Sequence, residues 1–239
     1  MRAVDSIRVA RTLGEHGVAV AANLFAGKMA RLAKHAQTQA PALLTPDLLG
    51  DDLLSNVPLM AVVDGVLGVG AMVARVNVGA EAAACLATTA ERARLFEDDA
   101  ATAAVPVFSV SGFAPLQACT VVVTAQGLQQ EIGLSPGDAL LIDSRCHARV
   151  TDVAAAALFV TFTRPWFREP QASPLNPPVL VSSFDYLRLP PALQARLQWR
   201  FDRYLKQRPR LIAYRVADKV PAGLGAPVKR ALRGWASSY

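Results

Sequence analysis

The stretch Gly137-Asp138-Ala139-Leu140-Leu141-Ile142-Asp143-Ser144-Arg145-Cys146-His147-Ala148-Arg149 carries the clearest fold signal in this sequence. With Pro136 before it, Gly137-Asp138 predicts a tight turn, and the apolar residues that follow predict a buried strand. The polar Asp143-Ser144-Arg145 ends that strand. A second β-branched and aromatic segment follows at 157–168 (ALFVTFTRPWFR). Both segments predict strands.

These two segments belong to a series of short β-branched runs, each bounded by Gly, Pro or polar residues. The runs lie at 105–110, 120–124, 130–133, 139–142 and 158–163. Such evenly spaced strands are typical of a compact antiparallel barrel or jelly roll. Helical periodicity is confined to the flanks, at 6–16 and 25–38, while 43–54 predicts a loop or short helix. The predicted fold is therefore mainly β, with N-terminal helices and a C-terminal helical tail.

Composition narrows the class of protein. No apolar run in the 239 residues reaches the ~20 needed to span a bilayer, so no transmembrane segment is expected. The opening MRAVDSIRVART has no apolar core of the kind that a secretory signal contains. The three cysteines form no CxxC pair, which suits free thiols in a reducing compartment. A cytoplasmic protein is expected, and the Ala, Arg and Leu bias favours a bacterial source.

Charge divides the chain into two parts. Residues 189–239 have a net charge of +9, whereas the rest of the chain has −3. The predicted organisation is a β-domain at 1–169, a Pro-rich linker at 170–178 and a basic helical tail at 179–239. The tail includes a predicted amphipathic helix at 190–207 whose Arg and Lys face offers a docking surface for a partner protein. Nucleic-acid binding is not expected, because no aromatic and basic platform accompanies these charges.

The order and spacing of these segments resemble the phytanoyl-CoA dioxygenase family over residues 6–168. Residues 6–31 are similar to the family's opening, Met72–Gly79 to the strand before its first metal motif, and 120–127 to a later strand and turn. The 137–149 and 157–168 segments are similar to its C-terminal half. Members are Fe(II)/2-oxoglutarate oxygenases, so the resemblance implies a double-stranded β-helix.

The residues at the expected metal positions depart from that family. Aligned on Leu95-Phe96, the family's His-x-Asp falls on Thr89 and Glu91, and its later His, five residues after Asp143, falls on Ala148. His147 is one residue early, and a one-residue offset in a strand points to the opposite face unless a bulge intervenes. The region that usually supplies a cation for 2-oxoglutarate, 153–156, is Val-Ala-Ala-Ala. We therefore expect neither a metal site nor a cofactor.

Six residues are the candidates for a site inside such a barrel. Glu91 and His147 are the predicted catalytic acid–base pair, and the predicted substrate contacts are Thr89, Cys146, Arg149 and Arg164. Each has a structural alternative. Glu91 fits a position on a solvated helical turn. Thr89 fits a residue whose hydroxyl bonds to nearby backbone, and Cys146 fits a small buried hydrophobic residue. His147 and the two arginines fit structural hydrogen bonds or ion pairs equally well.

Three function classes remain open from the sequence. The favoured hypothesis is a metal-independent cyclase, isomerase or lyase that acts on a hydrophobic polyketide- or acyl-type intermediate of bacterial secondary metabolism. Such steps need only shape, an acid–base pair and a dry site. The first alternative is a non-catalytic pseudo-dioxygenase that binds a metabolite or a partner protein. The second is an Fe(II)/2-oxoglutarate hydroxylase with unusual ligands.

Overall fold

The computed structural model describes residues 5–37, 45, 47–90, 107–125, 127–151, 156–167, 186 and 188–197. The helices are α1 (Ser6–His16), α2 (Met29–Ala36), α3 (Val57–Leu67), α4 (Glu81–Ala87) and α5 (Pro191–Ala195), with a 3-10 turn at Ala26–Lys28 and a π-helical segment at Asp47–Leu54. The strands are β1 (Val18–Ala21), β2 (Met72–Gly79), β3 (Ser109–Pro115), β4 (Cys119–Ala125), β5 (Leu128–Leu134), β6 (Ala139–Asp143), β7 (His147–Val150) and β8 (Ala157–Thr163).

The strands form two antiparallel sheets. The large sheet has the order β1-β6-β3-β8-β2 and the small sheet the order β5-β4-β7. From β3 onward the chain passes repeatedly from one sheet to the other, which is the connection pattern of a jelly roll. The prediction of a mainly antiparallel β protein with accompanying helices is confirmed. Of the predicted helix at 190–207, only residues up to 197 are described, and α5 lies within them.

The large sheet has two buried faces. Its outer face packs against α1, α3 and the π-helical segment through a core that includes Leu13, Leu59, Val160 and Phe162. Its inner face looks toward the small sheet across a second core that includes Phe113, Leu140, Ile142, Phe159, Val121 and Val123. Below, "the interior" means this space between the sheets. Alternate residues of β3, β6 and β8 contribute to one core or the other, because successive side chains of a strand point to opposite faces.

Two capping residues fix the ends of α1. Asp5 accepts a hydrogen bond from the Arg8 backbone N–H at 3.0 Å, and Gly17 ends the helix in the left-handed region with φ of +74°. The Gly17 N–H donates to the carbonyl of Leu13, and the Gly17 carbonyl accepts from the N–H of Asp143 at 2.9 Å. This glycine therefore turns the chain from α1 into β1 while contacting the end of β6.

The Pro-Gly-Asp turn before β6 also depends on glycine. Gly137 has φ of +96°, and a Cβ there would lie 2.9 Å from the Cα of Ala26. Asp138 accepts hydrogen bonds from the backbone N–H groups of Ser135 at 3.0 Å and Asn23 at 2.9 Å. The predicted turn is present, and it holds the segment after β1 as well as β6.

A short C-terminal segment belongs to the helical layer. Leu189 and Leu197 are buried in the outer core. The Arg196 guanidinium makes a two-bond contact with the Asp64 carboxylate at 3.1 and 3.0 Å, and the Arg196 carbonyl accepts from the Val73 N–H at 3.2 Å. A bidentate geometry is the stronger form of such a pair. Residues 189–197 therefore hold the start of β2.

The chain divides into two compact units, Met1–Leu197 and Gln198–Tyr239. The proposed linker at 170–178 and most of the proposed basic tail lie outside the described residues, so that division stays a prediction. Among the described residues, no helix has both the length and the apolar character needed to cross a bilayer.

Replacing Gly17 by alanine tests the turn between α1 and β1. A Cβ at this position would lie 2.3 Å from the Sγ of Cys146, so Gly17→Ala combines a left-handed backbone with overpacking. We expect a loss of about 2–5 kcal/mol in the free energy of unfolding, measured by urea denaturation. Gly127→Ala is the matched control, since φ there is +76° with no atom within 4 Å. It should lose only about 1–2 kcal/mol. Equal losses in the two variants would contradict the packing argument.

Candidate active site in the interior

The two positions that the resemblance assigns to iron-binding histidines lie beside each other. Thr89 follows the end of α4, and Ala148 is the second residue of β7. The Ala148 N–H donates to the Thr89 hydroxyl at 3.1 Å, and Thr89 is 3% exposed. The residue identities nevertheless do not suit an iron ion.

The Thr89 hydroxyl already makes one hydrogen bond as a donor and one as an acceptor. It donates to the Leu86 carbonyl at 2.6 Å while it accepts from Ala148. A hydroxyl has a single proton to donate, and a neutral hydroxyl is a poor ligand for Fe(II) beside the imidazoles and carboxylate of the usual site. Ala148 contributes only a methyl group. Elsewhere in the part of the chain that the structure describes, no three His, Cys, Asp or Glu side chains are grouped as metal ligands.

Thr88 connects α4 to the large sheet in the way that Thr89 connects it to the small sheet. Its hydroxyl donates to the Cys85 carbonyl at 2.7 Å and accepts from the Arg75 guanidinium at 3.0 Å. Cys85 and Leu86 lie in the last turn of α4, where carbonyls lack partners within the helix. The Thr88-Thr89 pair therefore ends α4 and joins it to β2 of the large sheet and β7 of the small sheet.

A polar patch covers one side of the inner face. Arg75 of β2 lies opposite Thr161 of β8, which lies opposite Ser111 of β3 and then Ile142 of β6. Directly paired residues share a face, and Ile142 belongs to the interior core. The Ser111 and Thr161 hydroxyls are 3.1 Å apart. The row therefore runs from an apolar end at β6 to a buried cation at β2.

The next row of the same face is mostly aromatic. Asn77 lies opposite Phe159, and Phe159 lies opposite Phe113. The Asn77 Oδ1 is buried and has no hydrogen-bond partner among the residues that the structure describes. Because buried polar atoms without partners are rare, this oxygen marks a position where a hydrogen-bond donor fits.

Sequence reasoning missed this patch. We singled out neither Arg75 nor Asn77 as a site residue, although both interrupt the apolar run MVARVNVG at a spacing of two. That spacing places two polar side chains on one face of a strand. The signal was available, but it became informative only once β2 was seen to face the interior.

The segment Asp143-Ser144-Arg145 connects the end of β6 to α1 through hydrogen bonds. The Asp143 carboxylate accepts from the Arg145 backbone N–H at 2.8 Å and from its guanidinium at 3.0 and 2.6 Å. Arg145 also donates to the Gly14 carbonyl at 2.8 Å. Burial raises the pKa of Asp143, while the hydrogen bonds from Arg145 act in the opposite direction. The element thus fastens the end of β6 to the last turn of α1.

Cys146 behaves as a buried neutral thiol. Its Sγ lies 3.8 Å from the His16 carbonyl, and its side chain belongs to the interior core. Burial raises the pKa of the thiol to about 12, and the Asp143 carboxylate adds to that rise. The alternative reading as a small hydrophobe fits this environment, and the substrate contact we assigned to Cys146 stays a prediction.

Three of the remaining candidates, His147, Arg149 and Arg164, lie apart from the inner patch. Along β7, Ala148 is buried whereas His147 is half-buried and Arg149 is exposed, so alternation puts the latter two on the opposite face from Ala148. Arg164 follows β8 and donates to the carbonyls of Val107 at 2.6 Å and Val66 at 3.4 Å. Glu91 lies outside the described residues. The roles assigned to these four residues stay predictions.

Comparisons with solved structures find oxygenases at low similarity. A prolyl-4-hydroxylase from Pseudomonas putida matches with 14% identity and a TM-score of 0.39 over 70% of this chain and 94% of its own. SnoN, a non-heme alpha-ketoglutarate-dependent epimerase from nogalamycin biosynthesis, matches with 10% identity and a TM-score of 0.40 over 73% of this chain and 98% of its own. No protein-family model and no curated protein matches the sequence. Similarity this low does not assign an activity.

Replacing Thr89 by valine tests the tie between α4 and β7. The change keeps the side-chain shape but leaves the Ala148 N–H buried without its acceptor, which costs about 1–3 kcal/mol. Urea denaturation should show that loss. Thr124→Val is the control, because Thr124 is a partly exposed β4 residue and valine suits a strand. A Thr89→Val protein as stable as the control would show that the hydrogen bond contributes little.

Alkylation tests the state of Cys146. With a pKa of about 12, only about 10⁻⁴ of the thiol is ionised at pH 8, and the thiolate is the reactive form. Iodoacetamide at pH 8 should leave the Cys146 peptide unlabelled in the native protein and label it fully in guanidinium chloride, as read by mass spectrometry. Rapid native labelling would indicate an accessible thiolate and reopen Cys146 as a nucleophile.

Proposed function

We propose that this chain is a metal-independent enzyme on a double-stranded β-helix of the dioxygenase type. Its substrate is a hydrophobic polyketide- or acyl-type intermediate of bacterial secondary metabolism, and its reaction is a cyclisation, isomerisation or elimination. The observation that carries the proposal is the polar patch of Arg75, Asn77, Ser111 and Thr161 beside the buried Phe113 and Phe159. Small-molecule sites typically combine an apolar wall with a few oriented polar groups.

Two residues at the positions that the resemblance assigns to iron ligands support metal independence. The Thr89 hydroxyl donates to the Leu86 carbonyl and accepts from the Ala148 N–H, and the Ala148 side chain has no atom that could coordinate a metal. An enzyme with this interior would work by holding the substrate in a reactive shape and by moving a proton. Glu91 and His147 remain the candidates for proton transfer, and His147, on the face of β7 opposite Ala148, would require the substrate to reach that face.

A pseudo-dioxygenase that only binds a metabolite is the second candidate. This candidate is favoured because residues that lie in the family's active-site segments make structural hydrogen bonds in this chain. Asp143 and Arg145 bond to each other and to α1, and Thr89 bonds to the backbone of α4 and β7. Such a protein would bind ligand in the interior without turnover, and its basic tail would supply the docking surface.

Metal analysis and turnover separate these functions. After anaerobic iron loading and desalting, we expect substoichiometric iron and no consumption of 2-oxoglutarate. Stoichiometric iron with turnover of 2-oxoglutarate would show that the hydroxylase alternative is correct. A panel of linear polyketide and acyl intermediates, followed by mass spectrometry, then distinguishes an enzyme from a binding protein.

Glu91→Gln tests the proposed acid–base residue. The change is nearly isosteric and removes only proton transfer, so turnover of the substrate found in the panel should fall by roughly 10²–10⁴-fold with the fold intact. His147→Gln is the parallel variant for the other member of the pair. Full activity in Glu91→Gln together with loss in His147→Gln would reassign the catalytic role to His147.

A further inference from the structure

Arg75 places a permanent positive charge in the interior. It lies on β2 with 7% of its surface exposed, and it faces the same side of the sheet as Thr161 and Ser111. The guanidinium contacts Thr88 at the end of α4 and makes further contacts besides. Helix C-terminal ends attract cations, which helps to keep this side chain inside. A ligand anion here would join an existing set of partners.

Asn77 adds an acceptor on the same face, two residues along the strand. Its Oδ1 is buried and accepts no hydrogen bond from any described residue, and a buried acceptor without a donor is costly. A ligand hydroxyl or N–H would supply that donor. An anionic ligand group would add to the contacts that Arg75 already makes, whereas the Asn77 Oδ1 fits a neutral donor. The two side chains lie two residues apart on one face of β2.

The remaining surroundings are apolar. Phe159, which pairs with Asn77 across the sheet, is fully buried, and Phe113 beside it is 1% exposed. Leu140 and Ile142 continue this surface along β6. An alkyl or polyene chain suits such a surface, whereas a small dianion such as 2-oxoglutarate has only two methylene groups to place there.

We infer that the interior binds an amphipathic organic acid that bears a hydroxyl or N–H close to its carboxylate. The carboxylate pairs with the Arg75 guanidinium, the hydroxyl donates to the Asn77 Oδ1, and the apolar chain lies on Phe113 and Phe159. The inference rests on the proposed function, because it names the substrate class for the same site. A planar guanidinium matches a carboxylate through two parallel hydrogen bonds, which a lysine cannot reproduce.

Binding measurements on the full chain test the inference without any turnover. Isothermal titration calorimetry with 3-hydroxydecanoate, decanoate and 1,3-decanediol separates the roles of charge, hydroxyl and chain. The wild-type protein should bind 3-hydroxydecanoate most tightly. Arg75→Met should weaken binding of both acids at least about tenfold and leave the diol unchanged. Asn77→Leu should abolish the preference for 3-hydroxydecanoate over decanoate.

Controls keep the outcome clear. Arg11→Met removes an exposed arginine of α1 and should change no affinity by more than about twofold. If Arg75→Met does not fold by circular dichroism, Arg75→Lys keeps the charge but loses the fork geometry and should still weaken acid binding. Equal affinity for acid and diol, unaltered acid binding in the Arg75 variants, or no binding of 3-hydroxydecanoate would each overturn the inference. Tight binding of all three ligands regardless of head group would overturn the inference as well. It would remain compatible with the proposed function, which requires only a hydrophobic substrate.

Discussion

The interior depends on one edge of one strand. Strand β7 pairs with β4 on one side, and within the described residues no strand pairs with its other side. A buried backbone N–H on that edge needs an acceptor, and the Thr89 hydroxyl supplies it for Ala148. Because Thr88 makes the matching contact to Arg75, the two threonines hold α4 between the sheets. These two contacts help to fix α4, whose Cys85 and Leu86 belong to the core of the interior.

This arrangement explains why the resemblance to oxygenases and the absence of their ligands coexist. The features that the sequence shares with that family are those that shape the chain. Gly137 and Asp138 form the turn before β6, and Asp143 with Arg145 ties β6 to α1. Thr89 and Ala148, the described residues at positions that the resemblance assigns to iron ligands, are part of the hydrogen-bonded framework. A fold and the chemistry done on it are separable in this way.

The electrostatics of the interior also differ from those of a metal site. An iron site gathers carboxylate and imidazole around a bound cation, whereas here a protein cation, Arg75, is itself built into the wall. Among the described residues, its neighbours on the same face include the neutral Ser111 and Thr161 across the strands and Asn77 two residues along β2. This setting supports the inference that the ligand joins an anionic group to an apolar body.

The sequence by itself indicated most of the strand segments, the Pro-Gly-Asp turn and the positions of α1 and α2, because these follow from local periodicity and backbone geometry. It placed the strand after the Pro-Gly-Asp turn within a residue of β6 (Ala139–Asp143), but it put the β3 strand at 105–110 rather than Ser109–Pro115. It also missed α3 and α4, whose apolar Val and Ala residues give no clear period. Only the tertiary structure decided which face of each strand became the interior. Arg75 and Asn77 acquire meaning from pairing with Thr161 and Phe159, residues more than eighty positions away, and no local pattern encodes that register.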